Sequence, residues 1–399
     1  MLSKLSIKNY KSILDQTIEL GRVNVFIGEN GCGKTNILEA LAMLCAAKSR
    51  TLDNESLYNR GVRVAKPSLT FSSFQDAAQV PEILLVADGV EVGEPFEKKF
   101  RARLQADLAE SIFARWTDAV TEQLDRIATE DLNAALAADL REHKILAEFL
   151  TRYGRGKTVD LLMSLSDLGF SPLLDGFSIY NLTTPALRGI QIESRREPLG
   201  IHGEGLDILI ASLSDEEREQ LHRYSHFISW LDEVILDQGD QRKFAGHKLG
   251  KSTSRLYFRD RFMATTNNVF SAENANEGVL HALCYLTLFI SKRTPSLFAI
   301  DNIEQALNPQ LCRALMKELA QLAAANDKQA LITTHNPAIL DGMNLQDDQQ
   351  RLFVVYRSDE GDTRVRRVKQ KDPQEVAGRA LKLSELWMRG FLGGIPKGF

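Results

Sequence analysis

The chain has 399 residues, 44% of them hydrophobic and 26% charged, with a formal net charge of −4. That length suits one elaborated α/β unit or roughly two to three domains. The balanced charge excludes a global electrostatic pull toward nucleic acid or a membrane, so any such contact must come from local patches.

Met1 opens directly into strand-like sequence (Leu2, Leu5, Ile7), with no basic segment leading into an apolar one, and no targeting signal is expected. Short strands are predicted at Leu5/Ile7, Ile18/Leu20 and Val23–Ile27, with Gly21-Arg22 turning between the last two. Residues 28–35 read GENGCGKT, and the helical pattern Ile37, Leu38, Leu41, Leu44 follows to about Ala47. Residues 48–80 read as polar and irregular. Ile83–Val86 and the Phe96–Phe100 region read as strands joined by a glycine-rich turn. From Arg101 the texture changes: Leu104, Leu108, Ile112, Trp116, Val120 and Leu124 recur every fourth residue and predict a helix. A second helix is predicted over Leu132, Leu136, Leu140, Ile145 and Phe149. Strict fourfold spacing in short runs favours a packed helical insertion over a long coiled coil. Residues 154–205 read as loop-rich. Ser214-Asp215-Glu216-Glu217 is a capping-box pattern that predicts a helix running to Leu236.

After about residue 250 the α/β texture returns. A helix is predicted over Val279–Ile290, a buried strand over Leu297–Ile300, a helix over Leu311–Leu322 and a buried strand over Leu331–Thr333. Phe353–Tyr356 and Val365–Val368 form a late hairpin. The division expected is an N-terminal lobe at 1–100, a mainly helical insertion at 101–250 and a C-terminal lobe at 251–399. No apolar stretch is long enough to span a bilayer. Cys32, Cys45, Cys284 and Cys312 form no C-x-x-C pair, which predicts reduced thiols, a cytoplasmic setting and no zinc site.

The chemistry concentrates in two places. GENGCGKT lies between a strand and a helix, the context a G-x-x-x-x-G-K-[ST] phosphate loop requires. Backbone N–H groups around Gly28, Asn30, Gly31, Cys32 and Gly33 wrap a phosphate at a helix N-terminus. Lys34 reaches the β/γ-phosphates and Thr35 ligates Mg²⁺, so a nucleoside triphosphate with Mg²⁺ is the predicted ligand. Cys32, inside the loop, is expected to react with thiol reagents until nucleotide covers it. The apolar run Leu297–Ile300 ends in Asp301, the carboxylate that a Walker B strand holds opposite the loop for Mg²⁺.

Four phrases together resemble the ABC-class ATPase heads of the SMC, RecF and OLD-like kind: LSIKNYKSI at 5–13, GENGCGKTN at 28–36, IDNIEQALNP at 300–309 and TTHNPAIL at 333–340. The resemblance covers roughly residues 1–100 and 265–399. It implies an α/β fold, an ABC-type P-loop NTPase head with a mixed N-terminal β-subdomain and a mainly helical insertion, using ATP and Mg²⁺. It extends the binding loop to Asn36 and makes His335 a γ-phosphate sensor. It also makes Ser271–Gly278 the signature segment, in which Asn276 and Gly278 meet the γ-phosphate held by a second subunit, although the usual Ser-Gly-Gly form is absent. A homodimer or higher homo-oligomer follows, and stand-alone proteins of this type occur in bacterial anti-phage and toxin–antitoxin systems beside a separate effector. Gln75 stands where a metal-binding Q-loop glutamine would.

Two departures matter. Asn302 stands where the resembled group has the Glu that positions the attacking water, and an amide cannot accept that proton. Either Glu304 takes over or hydrolysis is slow and ATP acts as a clamp. Asn308 replaces the group's His. Two basic clusters, Arg242, Lys243, Lys248, Lys251, Arg255, Arg259 and Arg261, and Arg364, Arg366, Arg367, Lys369 and Lys371, are candidate nucleic-acid surfaces. They keep open a RecF/SMC-like DNA-binding ATPase in repair or recombination. An OLD-type nuclease is disfavoured, because the residues after His335 carry no D-x-D carboxylate pair for two-metal chemistry.

Overall fold

The computed structural model describes residues 1–64, 66–74, 81–90, 98–106, 116–119, 171–190, 198–247, 250, 252–369, 375–376 and 379–393. The chain opens with β1 (Leu2–Tyr10), β2 (Ile13–Glu19) and β3 (Val23–Gly28), then α1 (Lys34–Lys48) and α2 (Asn54–Asn59). Next come β4 (Glu82–Gly89), β5 (Lys98–Ala106), β6 (Trp116–Asp118) and β7 (Ile179–Tyr180), then α3 (Leu206–Ala211) and α4 (Asp215–Tyr224). The strands β8 (Leu231–Leu236), β9 (Leu256–Asp260) and β10 (Val269–Ser271) lead to α5 (Glu277–Ile290) and β11 (Leu297–Ile300). The last part holds α6 (Pro309–Ala325), β12 (Gln329–Thr334), β13 (Gln350–Arg357), β14 (Thr363–Val368) and α7 (Leu383–Met388).

Three sheets position the site. The central one has six strands in the order β14-β13-β3-β12-β11-β7. All neighbours in it are parallel except β14, which returns antiparallel along β13. Its inner strands β3, β11 and β12 are buried along their whole length because both faces are covered. Val25, Ile27, Phe298, Ile300, Ile332 and Val354 face one core, and Phe26, Leu297, Ala299, Leu331 and Phe353 face the other. The antiparallel sheet β2-β1-β4-β5-β6 closes over that second core. Helix α1 is wedged between the two sheets, so residues Ile37 to Ala47 are buried on every side rather than along one stripe. Each buried Leu or Ile there contributes about 1.5–3 kcal/mol. Helices α4, α5 and α6 cover the opposite face, and the smaller sheet β10-β9-β8 adds Leu231, Leu256 and Phe258 to that core.

Several expectations are corrected. Leu104 and Trp116 are strand residues, in β5 and β6, not turns of one helix. In β5, Phe100, Ala102 and Leu104 are buried between outward-facing Lys99, Arg101 and Arg103. This period of two suits a sheet with one covered face and outweighs the coincidental spacing of four. The helix opened by Ser214 has the full capping box, with Ser214 and Glu217 bonding reciprocally, but stops at Tyr224, and Leu231–Leu236 is strand β8. Asn54–Asn59, within the stretch read as irregular, is helix α2, which Asp53 caps through the Ser56 amide. Strand β7 comes from within 101–250 yet pairs with β11 in the central sheet. The run Leu132–Phe149 and residues Leu108, Ile112, Val120 and Leu124 lie outside the described residues.

Candidate functional site

Strands β3, β11 and β12 end side by side, which gathers the loops following them at one edge of the sheet. Ligands of open parallel sheets bind at that edge. The loop after β3 turns through Gly31 and Gly33, at φ +75° and +105°, into α1. Two glycines are required by close approach. A Cβ on Gly28 would lie 2.1 Å from the Val355 carbonyl oxygen, and one on Gly33 would lie 2.2 Å from Thr363 Oγ1. Lys34 is 5% exposed, and its ammonium donates to the Gly28 and Glu29 carbonyls at 2.9 and 2.8 Å and to His335 Nδ1 at 3.2 Å. Burial lowers the Lys34 pKa, while Cys32, Asp301 and Glu304 oppose the shift. The cation lies folded against its own loop, in reach of the phosphates the loop is shaped to receive.

Across from Lys34, Thr35 Oγ1 lies 3.2 and 3.1 Å from the two Asp301 oxygens. The register that pairs Ile300 with Ile332 puts Asp301 beside Thr333, whose hydroxyl donates to Asp301 and accepts from the Asn302 amide at 2.9 Å. A hydroxyl and a braced carboxylate converging from two elements are the hard oxygen donors that suit Mg²⁺. Thr35 and Asp301 fit that ion, and the glycine cradle fits phosphate. The Glu304 carboxylate is tied to the switch segment, accepting from Thr334 Oγ1 and the His335 amide, both at 2.8 Å. Partial burial followed by the Lys34 charge lowers the His335 pKa, which favours the neutral ring. Asn302 sits at φ +56°, a conformation Asn tolerates better than most residues.

The structure thus brings together Gly28, Asn30, Gly31, Cys32, Gly33, Lys34, Thr35, Asn36, Asp301, Asn302, Glu304 and His335. Cys32 is 3% exposed, its Sγ is 3.9 Å from Lys34 Nζ, and burial raises its thiol pKa, so the expectation of a reactive free thiol is corrected. Asn276 is the N-cap of α5, accepting from the Gly278 amide at 2.9 Å, and Gly278 lies against the Ala306 carbonyl. Gln75, Lys248, Lys251 and Lys371 lie outside the described residues.

Much of the basic surface is used within the fold. Arg259 pairs with Glu233, Arg261 donates to the Leu231 carbonyl and Arg242 lies 6.0 Å from the Tyr257 ring centre. Arg364 pairs with Asp362, Arg367 with Asp348, and Arg366 donates to the Leu392 carbonyl. Lys243 and Arg255 remain exposed. Lys11 pairs with Glu39, a carboxylate with a fully buried side chain on α1 that Arg63 also grips at 2.7 Å. Burial alone would raise the Glu39 pKa, but the Arg63 hydrogen bond and the two cations hold it below the usual range.

Residues the sequence reading missed are Thr333, Glu39, Arg63, Arg357 and Thr363. Thr333 was available from the register of the two buried strands. Arg357 Nε reaches the Gly31 carbonyl at 3.1 Å, and Thr363 Oγ1 donates to the Cys32 carbonyl at 2.8 Å. They come from the late hairpin, and no local signal links them to a loop more than 320 residues earlier.

Among the described residues no helix is long and apolar enough to cross a membrane. The chain is similar to the DNA replication and repair protein RecF of Geobacillus sp. (strain WCH70), 46% identical over 55 residues, 14% of this chain and 15% of that protein. The RecF of Phocaeicola vulgatus is 39% identical over 64 residues, 15% of this chain and 17% of that protein. These matches span less than a fifth of the curated relatives. The fold is similar to a solved SMC head bound to the C-terminal winged-helix domain of ScpA, with a TM-score of 0.53 at 14% identity, over 93% of this chain and 98% of that one. Residues 23–341 match the family model described as "AAA domain, putative AbiEii toxin, Type IV TA system". With most of its length inside that model, and with its phosphate loop, Asp301 and His335 on one sheet edge, the chain belongs to this family and has a P-loop fold similar to that of an SMC head.

Proposed function

We propose that this ATPase is a slowly hydrolysing, dimerising switch whose nucleotide state holds or releases a separate effector, in anti-phage defence. The observation that carries the slow step is Asn302. It occupies the position next to Asp301, and its backbone N–H donates to Thr333 Oγ1 at the end of β11. Glu304, the other acid nearby, has both carboxylate oxygens engaged by Thr334 and His335. In this reading Glu304 orients His335 rather than taking a proton from water. Lys34 leaves the Gly28 and Glu29 carbonyls for phosphate oxygens, Thr35 and Asp301 hold Mg²⁺, and His335 meets the γ-phosphate. The ion, when bound, neutralises phosphate charge. Asn276 and Gly278 at the start of α5 meet the nucleotide held by a second copy, so that ATP closes a pair of heads. The family's description, with its toxin–antitoxin context, supports the defence setting.

The deciding experiment is Lys34→Ala. ATP binding and ATP-dependent assembly, read by titration of a fluorescent ATP analogue and by light scattering, are both expected to vanish. Wild-type assembly in that variant would sink the reading. A second reading, a RecF-like DNA-binding ATPase, is favoured by the names of the matched relatives. Under it, DNA binding falls steeply with salt and weakens when exposed Arg255 is neutralised.

A further inference from the structure

Behind the nucleotide site, two buried polar atoms on α5 have no partner. Gly278, His281 and Tyr285 stand three and four residues apart, along one face of that helix. A Cβ on Gly278 would lie 3.0 Å from the Ala306 carbonyl oxygen, and His281 Nδ1 lies 3.3 Å from the Gln305 carbonyl oxygen. Helix α5 therefore rides on the loop that follows Asp301. That loop is strained, with Asn302 and Ala306 both left-handed at φ +56° and +62°.

The chemistry of the two orphans is complementary. A carbonyl only accepts, so Nδ1 carries the His281 proton. Burial pushes His281 down to about 4, the ring is neutral, and Nε2 is a bare acceptor. Neither His281 Nε2 nor the Tyr285 hydroxyl makes a hydrogen bond, although the two residues are 1% and 0% exposed. Their ring centres are 6.5 Å apart. The Tyr285 proton and the bare His281 nitrogen, neighbours on one helix face, thus go unpaired in this arrangement. Buried groups left unpaired call for a second state in which they are paired.

We propose that His281 and Tyr285 are positioning residues that couple what docks at the N-terminus of α5 to the loop bearing Asp301 and Glu304, the Tyr285 hydroxyl gaining its partner when that loop shifts. The inference rests on the paired-head reading, in which the first turn of α5 meets the other head's nucleotide. Movement of α5 presses Gly278 on Ala306 and His281 on Gln305. Glu304, tied to the His335 amide, passes the change to His335. Hydrolysis in one head then depends on engagement of its own α5 by the other.

Tyr285→Phe tests this, because it deletes the hydroxyl and keeps the ring. Without nucleotide its melting temperature is expected to equal or exceed that of the wild type, since an unpaired buried hydroxyl is removed. Affinity for the fluorescent ATP analogue is expected to be unchanged, while hydrolysis by the assembled protein falls about tenfold, the equivalent of about 1.4 kcal/mol in the barrier. His281→Ala should lose as much rate, and His281→Asn, which keeps a donor for Gln305, should recover part of it. A wild-type hydrolysis rate in Tyr285→Phe overturns the coupling, as does a rate loss that tracks a lowered melting temperature. If the wild-type chain itself fails to assemble with ATP, the paired-head reading falls and the coupling with it. If it assembles and Tyr285→Phe hydrolyses normally, only the coupling falls.

Discussion

Asn302 illustrates how one residue answers to two demands. Its place after Asp301 is where a general base would act, and its φ of +56° is where a β-carbon side chain other than Asn or Asp is strained. The same substitution therefore separates the two. Asn302→Glu is expected to raise steady-state hydrolysis toward about 10²-fold, the lower end of what a positioned base supplies. It is also expected to destabilise the chain by about 1 kcal/mol from the left-handed backbone. Phosphate release and denaturant unfolding measure the two effects independently. Unchanged turnover with the stability loss present would mean that no local carboxylate at this position serves as base. The sequence made the substitution legible but not its conformation, because a left-handed residue after a parallel strand has no composition signal.

At the scale of elements, the hairpin of β13 and β14 is the part least expected to shape the site. Its strands place Arg357 on the Gly31 carbonyl and Thr363 on the Cys32 carbonyl and the Ser12 hydroxyl, the last at 2.7 Å. These bonds hold the outer side of the phosphate loop in the shape it needs before ligand arrives. Thr363→Val keeps the packing and removes the bonds. ATP affinity is expected to weaken roughly 3–10-fold, the equivalent of about 0.5–1.5 kcal/mol for a lost hydrogen bond, in a titration with the fluorescent analogue. An unaltered affinity would assign the loop's shape to its glycines alone. Elements that are buried on both faces were legible, because β3, β11 and β12 each hold a short apolar run, Val25–Ile27, Leu297–Ile300 and Ala330–Ile332, leading to Gly28, Asp301 and His335. Elements defined by pairing were not. Strand β7 is two residues long and pairs only because Ala299 and Ile300 lie beside it. The Leu104–Trp116 run carried two periods at once, and only a sheet already formed by β1 and β4 selects between them.

At the scale of the whole molecule, α1 joins the two large sheets into one cooperative body. Its buried face has no solvent side, so neither sheet keeps its core when the other is lost. Heat or denaturant is expected to unfold the described parts of both lobes in a single transition, observed as coincident loss of far-ultraviolet dichroism and tryptophan fluorescence. ATP with Mg²⁺ at 100 times its Kd should stabilise that transition by about 2.7 kcal/mol. Two separated transitions, only one of them shifted by nucleotide, would show that the lobes are independent.

The position of β3 has a consequence for synthesis. It is the strand that leads into the phosphate loop, yet both of its neighbours, β12 and β13, are made long after it. A ribosome adding 5–20 residues per second takes roughly 15–60 seconds to reach them. Throughout that interval Val23–Gly28 has two open edges and an apolar sequence, the combination that recruits other nascent chains. The antiparallel sheet and α1 can form early and shelter one face of it, but not its edges. Chaperone demand during synthesis should therefore last until β12 and β13 emerge.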